Sequence, residues 1–246
     1  MILRRVISHF RKQEWTAIGL DFLIVVVGVF IGIQVSNWNA ARNDNSLRVY
    51  YLERLQSDLS ETIAYLSQRE KDSVEKLVAI EGFTSALNDP QIGDRQLVEA
   101  AGQYFTVGAQ LMDFKTTHAT FDDLSATGNL QLLENPALIE ALIQLHSEYE
   151  IQNEDLLVNT DWVLMSEVEL VTSFDWMRYE QSTRHLFPEK PEPVVAGELR
   201  AVTDKLRRNA ALHFWFMDTL HSDYSAVITQ TRSTHDKVTL ELERRR

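Results

Sequence analysis

Seven histidines and no cysteine set the chemistry open to this chain. Imidazole exchanges protons near neutral pH and is the commonest metal ligand, so its acidic neighbours decide which role is available. His118 precedes Asp122 and Asp123, a spacing that on a helix holds imidazole against carboxylate for acid-base work. In His146-x-x-x-Glu150 and Asp218-x-x-His221 each pair also falls on one helical face. A ferritin-type di-metal site needs more: a Glu from each of two helices and a Glu-x-x-His from each of two others. Neither pair is that motif, and the required repeat is missing. The lack of cysteine excludes thiolate zinc sites, cysteine nucleophiles and disulfides.

Plainer roles account for the same residues. Asp122 and Asp123 sit where the first turn of a helix attracts acids. His213 and His235 lie on an apolar stripe, the place of a satisfied core histidine. The run HFWFMD, His213 to Asp218, suits a ligand pocket, but packing of Trp215 and Phe216 against other helices or a second chain explains it equally. There is no Gly-x-Ser-x-Gly elbow and no glycine-rich phosphate loop. The sequence therefore assigns no catalytic residue, no cofactor and no metal ligand.

The elements that would position these residues are helices. Proline and glycine punctuate sparingly, at LNDPQIGD, TGN, ENP and LFPEKPEPVVAG. From Asn45 to Leu87, Leu52, Leu55, Leu59, Ile63, Leu66, Val74, Leu77 and Leu87 recur at three-and-four spacing. A second helix is expected from Asp94, as N-cap, to about Asp113, burying Leu97, Val98, Ala101, Phe105 and Leu111. A short helix should start near Thr120 and stop at Gly128, with Asn135 capping the next and Pro136 as its first residue. The pattern from Leu142 through Phe174 and Met177 fits one long helix or two with a kink near Asn153. After the proline-rich connection a last stripe runs from Leu199 to Leu242 at coiled-coil-like spacing. With no strand alternation, the fold class is all-α: one N-terminal transmembrane helix followed by an elongated antiparallel bundle.

That first helix is read from Thr16 to Val35, where Asp21 is the sole charge and the length matches a hydrocarbon core of about 30 Å. Trp15 and Trp38 bracket it as interface anchors. A cleaved signal peptide is the competing reading; no small-x-small site follows between Gln34 and Arg42, which favours an uncleaved anchor. Asp21 lies close enough to the entry interface to act as a boundary carboxylate paired with an N-terminal cation, although an intramembrane acid by default marks a functional site. Gly28 and Gly32 form the small-residue spacing that lets two helices approach, and glycine is also simply common in such helices. The chain thus divides into a basic amphipathic N-terminus (1–14), a transmembrane helix (15–38) and an extramembrane bundle (39–246).

Arg4, Arg5, Arg11 and Lys12 against Glu14 make the N-terminus basic, so the remainder is more acidic than the total of −12 indicates. An acidic body argues against nucleic acid as a partner, and a basic tip suits an anionic lipid surface. The expected placement is N-terminus in the cytoplasm and body in the periplasm of a bacterial inner membrane.

The stretches GVFIGIQVSNWN, YYLERLQSDL (Tyr50 to Leu59) and FDDLSATGNLQLL (Phe121 to Leu133), and more loosely LRRNAALHFWF, resemble an uncharacterised family of bacterial single-pass membrane proteins. The resemblance implies a membrane-tethered helical domain and brings no activity or cofactor with it. The function expected is a non-enzymatic scaffold or assembly protein, homo-oligomeric or joined to another membrane protein through Gly28, Gly32 and the first long helix. A periplasmic ligand-sensing bundle signalling through a partner is the alternative, and a di-metal enzyme the third reading.

Overall fold

The computed structural model describes residues 15–172 and 190–245, apart from the side chains of 15–18, 169 and 171. Among the described residues there are six α-helices and no strand: α1 (Trp15–Asn88), α2 (Asp94–Gln103), α3 (Ala119–Ala126), α4 (Pro136–Thr172), α5 (Glu192–Ala201) and α6 (Thr203–Arg245). The expected amphipathic N-terminus, 1–14, lies outside the described residues, as do Phe174 and Met177. The chain divides into two compact units, Met1–Tyr51 and Leu52–Arg246.

In the first unit, α1 is long and apolar enough to cross a membrane, with an 18-residue stretch of mean hydropathy 2.2 and none of that stretch buried within the protein. Apolar residues packed inside a soluble core would be covered; these are bare. Such a helix is compatible with a single-pass membrane protein, and its position near the N-terminus is equally that of a signal sequence.

In the second unit, three long helical segments are tied by polar contacts at matching heights. Gln56 Nε2 donates to Thr239 Oγ1 (2.8 Å), Ser73 Oγ is hydrogen-bonded to His221 Nδ1 (2.9 Å), and Arg207 Nη2 donates to the Leu87 carbonyl (2.8 Å). Numbers rise along α1 as they fall along α6, so the two run antiparallel. Asn135 with Glu241, Tyr149 with Thr231, and Ser166 with Asn209 make α6 antiparallel to α4 as well. The core between them includes Leu52, Leu66, Phe83, Leu138, Leu145, Phe216 and Tyr224.

The first body stripe departs from its expected register. Val74 is exposed, while Ser73 is fully buried against His221 and Ile80 and Phe83 enter the core. A straight helix of 3.6 residues per turn carries a seven-residue pattern slowly around its axis, so its buried face moves.

The second helix is shorter than expected. Gly93, extended at φ −70° and ψ 153°, is the N-cap in place of Asp94, and its N–H donates to Gln96 Oε1. Asp94 instead pairs with Arg200 at 2.6 Å. After Gln103 the chain takes a π-turn, Tyr104–Gly108, and then leaves helical geometry well before Asp113, with Leu111 exposed. Gly108 explains the departure: a Cβ there would lie 3.0 Å from Ile80 Cγ1 and 3.3 Å from the Tyr104 ring, so its absence lets the chain turn tightly against α1. Residues 109–118 then run back along α1 as a strap whose main chain is served by side chains. The Thr117 N–H donates to Thr62 Oγ1 and Tyr224 donates to the Asp113 carbonyl, while Lys76 Nζ holds the Val107 carbonyl just before the strap begins.

The next boundaries fall where expected. α3 is followed by Gly128 in the left-handed region at φ 72°, which glycine adopts without strain. Asn135 Oδ1 accepts the Leu138 N–H at 3.2 Å, and Pro136 opens α4. That helix is single through Asn153 as far as Thr172. The last stripe is two helices, broken at Val202 (φ −125°, ψ 21°), and α5 starts inside the stretch expected to be a connection. Pro191 and Pro193 are tolerated because the first turn of a helix has N–H groups without intrahelical partners.

Glu241, buried on α6, accepts hydrogen bonds from Asn135 Nδ2 (3.0 Å) and Arg245 Nε (3.0 Å), with Arg244 at 3.7 Å. Burial pushes its carboxyl up, but these donors and cations outweigh burial and hold it below the ordinary 4.5. A lowered folded-state pKa means stabilisation that is present above the unfolded value and lost as pH falls through the folded one. Glu241→Ala should cost about 1–3 kcal/mol at about pH 7, and the deficit should shrink progressively as pH falls below about 4.5. Urea denaturation of both chains across that range measures it.

Candidate functional site

The residues expected to anchor the chain come first in order. Among the described residues, no heavy atom lies within 4 Å of where a Cβ of Gly28 or Gly32 would stand, so none of these residues packs into the space left by either glycine. Asp21 is exposed on the same helix; the cations expected to pair with it precede residue 15 and lie outside the described residues. Trp38 is exposed, with the Arg42 guanidinium 5.9 Å from its ring centre. Trp15 opens α1, its side chain outside the description.

The histidines part company. His221 is engaged with Ser73 and Asp218 is exposed. His235 is half-buried beside Asp236. His213 is fully buried, its ring edge-on to Tyr104 and its Nε2 3.3 Å from Glu167 Oε1. Among the described residues neither ring nitrogen finds a well-formed hydrogen bond, so it is a core histidine but not the satisfied one expected. Burial, then the nearby Glu167 carboxylate, push the Tyr104 phenol up, so it remains the donor to Asn209 Oδ1.

His118 and His146, separate in sequence, come together. His118 precedes α3, and its Nδ1 lies 2.9 Å from Asp122 Oδ2 in the first turn, close to the arrangement the spacing suggests. Asp123 turns away and pairs with Arg54 at 3.7 Å. His146, on α4, places Nε2 3.9 Å from Asp122 Oδ1 and 3.4 Å from Glu150 Oε1. The two imidazole centres are 5.1 Å apart, and Phe121 lies 4.5 Å from the His146 ring. Sequence reasoning treated these as two local pairs. The α3–α4 turn that joins them was legible, at Gly128, Asn135 and Pro136, and was the signal available.

A second feature escaped the sequence reading. On the distal half of α4, Leu157, Val158, Trp162, Leu164, Met165 and Val168 are exposed, with Asp161 among them, and they occupy roughly half the helix circumference. Val163 and Leu170 face the core from the other side. Trp162 stacks on Trp215 of α6 at 6.2 Å between ring centres, and Phe214 extends the surface. Trp215 therefore faces outward, whereas its neighbour Phe216 is buried, which divides the HFWFMD run between surface and core. The stretch LLVNTDWVLMSEVELV is apolar on more than one face, which a single core does not require.

No curated protein and no solved structure matches the chain significantly. A family model does match, across residues 21–166, from the apolar helix through α3 and most of α4, a span that includes His118, Asp122, His146 and Trp162. On that match the chain belongs to the family of unknown function DUF6090.

Proposed function

We propose that the protein is a non-enzymatic helical scaffold, held in a bacterial inner membrane by a single uncleaved span, that works by contact with a second copy or another membrane protein. The observation that carries this reading is the exposed aromatic and aliphatic face of α4 and α6. Large apolar side chains gathered on a surface mark an interaction site, and tryptophan is among the residues that concentrate binding energy. Gly28 and Gly32, against which no other described residue packs, support helix contact within the bilayer. The basic N-terminus supports a cytoplasmic start, with the acidic body in the periplasm.

Site-specific photo-cross-linking in intact membranes tests the reading. A photoreactive amino acid at Trp162 should yield a discrete adduct, and one at Lys71, exposed on α1, should not. Gly28→Leu with Gly32→Leu should shift the full chain toward monomer in blue-native gels if the partner is a second copy. Monomers alone, together with no adduct at position 162, would sink the proposal.

A further inference from the structure

We infer that His118, Asp122 and His146 form a binding site for one divalent transition-metal ion of the zinc class, with Glu150 as fourth ligand. One ligand atom from each of the three residues lies within 4.8 Å of the others. Zinc holds imidazole nitrogen and carboxylate oxygen at about 2.0–2.2 Å, which sets tetrahedral ligand atoms about 3.3 Å apart. The carboxylates of Asp122 and Glu150 are exposed and adjust readily to an ion, while the two rings must draw together for all four ligand atoms to reach that spacing.

Hydrogen bonding leaves the cluster incomplete. The His118 contact to Asp122, at 2.9 Å, is hydrogen-bonded, whereas the approaches of His146 Nε2 to Asp122 and Glu150, at 3.9 and 3.4 Å, are ones that a proton does not close well. Among the described residues Asp122 and Glu150 have no lysine or arginine partner; each faces imidazole, which is charged only when protonated. A cation at the centre would answer both carboxylates and both rings. Two imidazoles select a borderline metal over calcium or magnesium, which take oxygen ligands.

The surroundings suit such a ligand. Phe121 packs on the His146 ring and fixes its plane. His146 Nδ1 is buried with no partner among the described residues, and the ring lines a cavity of about 20 Å³ shared with Asp58, Thr117 and Tyr149. That is room for one water. A metal-binding histidine donates its other N–H to an outer acceptor, and a water here would be that acceptor. The ion would clip α3 to α4 across the Gly128 turn.

The test uses the full chain in detergent, free of any polyhistidine tag and stripped with chelator. Titration with Zn²⁺ by calorimetry should show a single saturable site, and Co²⁺ should develop the intense visible bands of tetrahedral coordination. His146→Gln and, separately, Asp122→Asn should weaken binding by at least about tenfold, the smaller loss seen even for supporting partners. His221→Gln and His235→Gln should leave it unchanged. Asp122 is exposed, so its variant reads out the site even where His146→Gln compromises folding. Absence of saturable binding, or binding that Asp122→Asn leaves intact, overturns the assignment.

Discussion

Phe83→Ala should destabilise the protein by about 3–5 kcal/mol, whereas Val74→Ala on the same helix should change stability by no more than about 0.5 kcal/mol. Phe83 is 0% exposed and stacks on Tyr104 at 4.6 Å, at the point where the π-turn meets α1. Truncation removes a large apolar surface and leaves a cavity that the turn closes only partly, because Gly108 already rests on Ile80 and Tyr104 there. Val74 is 47% exposed and leaves no cavity. Urea denaturation of the full chain in mild detergent measures both. The spacing of apolar residues alone leads to the opposite ranking, since it places Val74 in the core stripe and omits Phe83. A larger loss from Val74→Ala than from Phe83→Ala would overturn the buried register of α1.

That reversal shows which kind of information the sequence carries. Boundaries made by local chemistry were legible: the glycine after α3, and Asn135 with Pro136 at the start of α4, each satisfy their own helix end within a few residues. The strap over 109–118 was not. Its main chain is held by Thr62 and Tyr224, both distant in sequence, so no local pattern announces it. The same limit hid the histidine cluster. Each imidazole had a carboxylate four residues on, which reads as an ordinary helical pair until the α3–α4 turn sets both pairs on one spot. The long apolar helix was legible because its signal is length and composition, which need no partner.

The exposed face of α4 was illegible for a related reason: periodicity separates apolar from polar but does not say which apolar residues the core leaves out. Trp162 and Met165 are 59% and 73% exposed, and Trp162 gains partial cover from Trp215. If this face binds a partner, Trp162→Asp with Trp215→Asp should abolish the adduct from a photoreactive residue placed at Met165 on that face, and weaken assembly by at least about 2 kcal/mol, roughly thirtyfold in affinity. The same double change should leave the unfolding free energy within about 0.5 kcal/mol, because exposed residues contribute little to folding and the new carboxylates remain in water. The split matters more than either number. Lost assembly with retained stability marks a surface maintained for contact, whereas stability falling in step with assembly would mean that the tryptophan pair holds α4 to α6, and the scaffold reading would lose the observation that carries it.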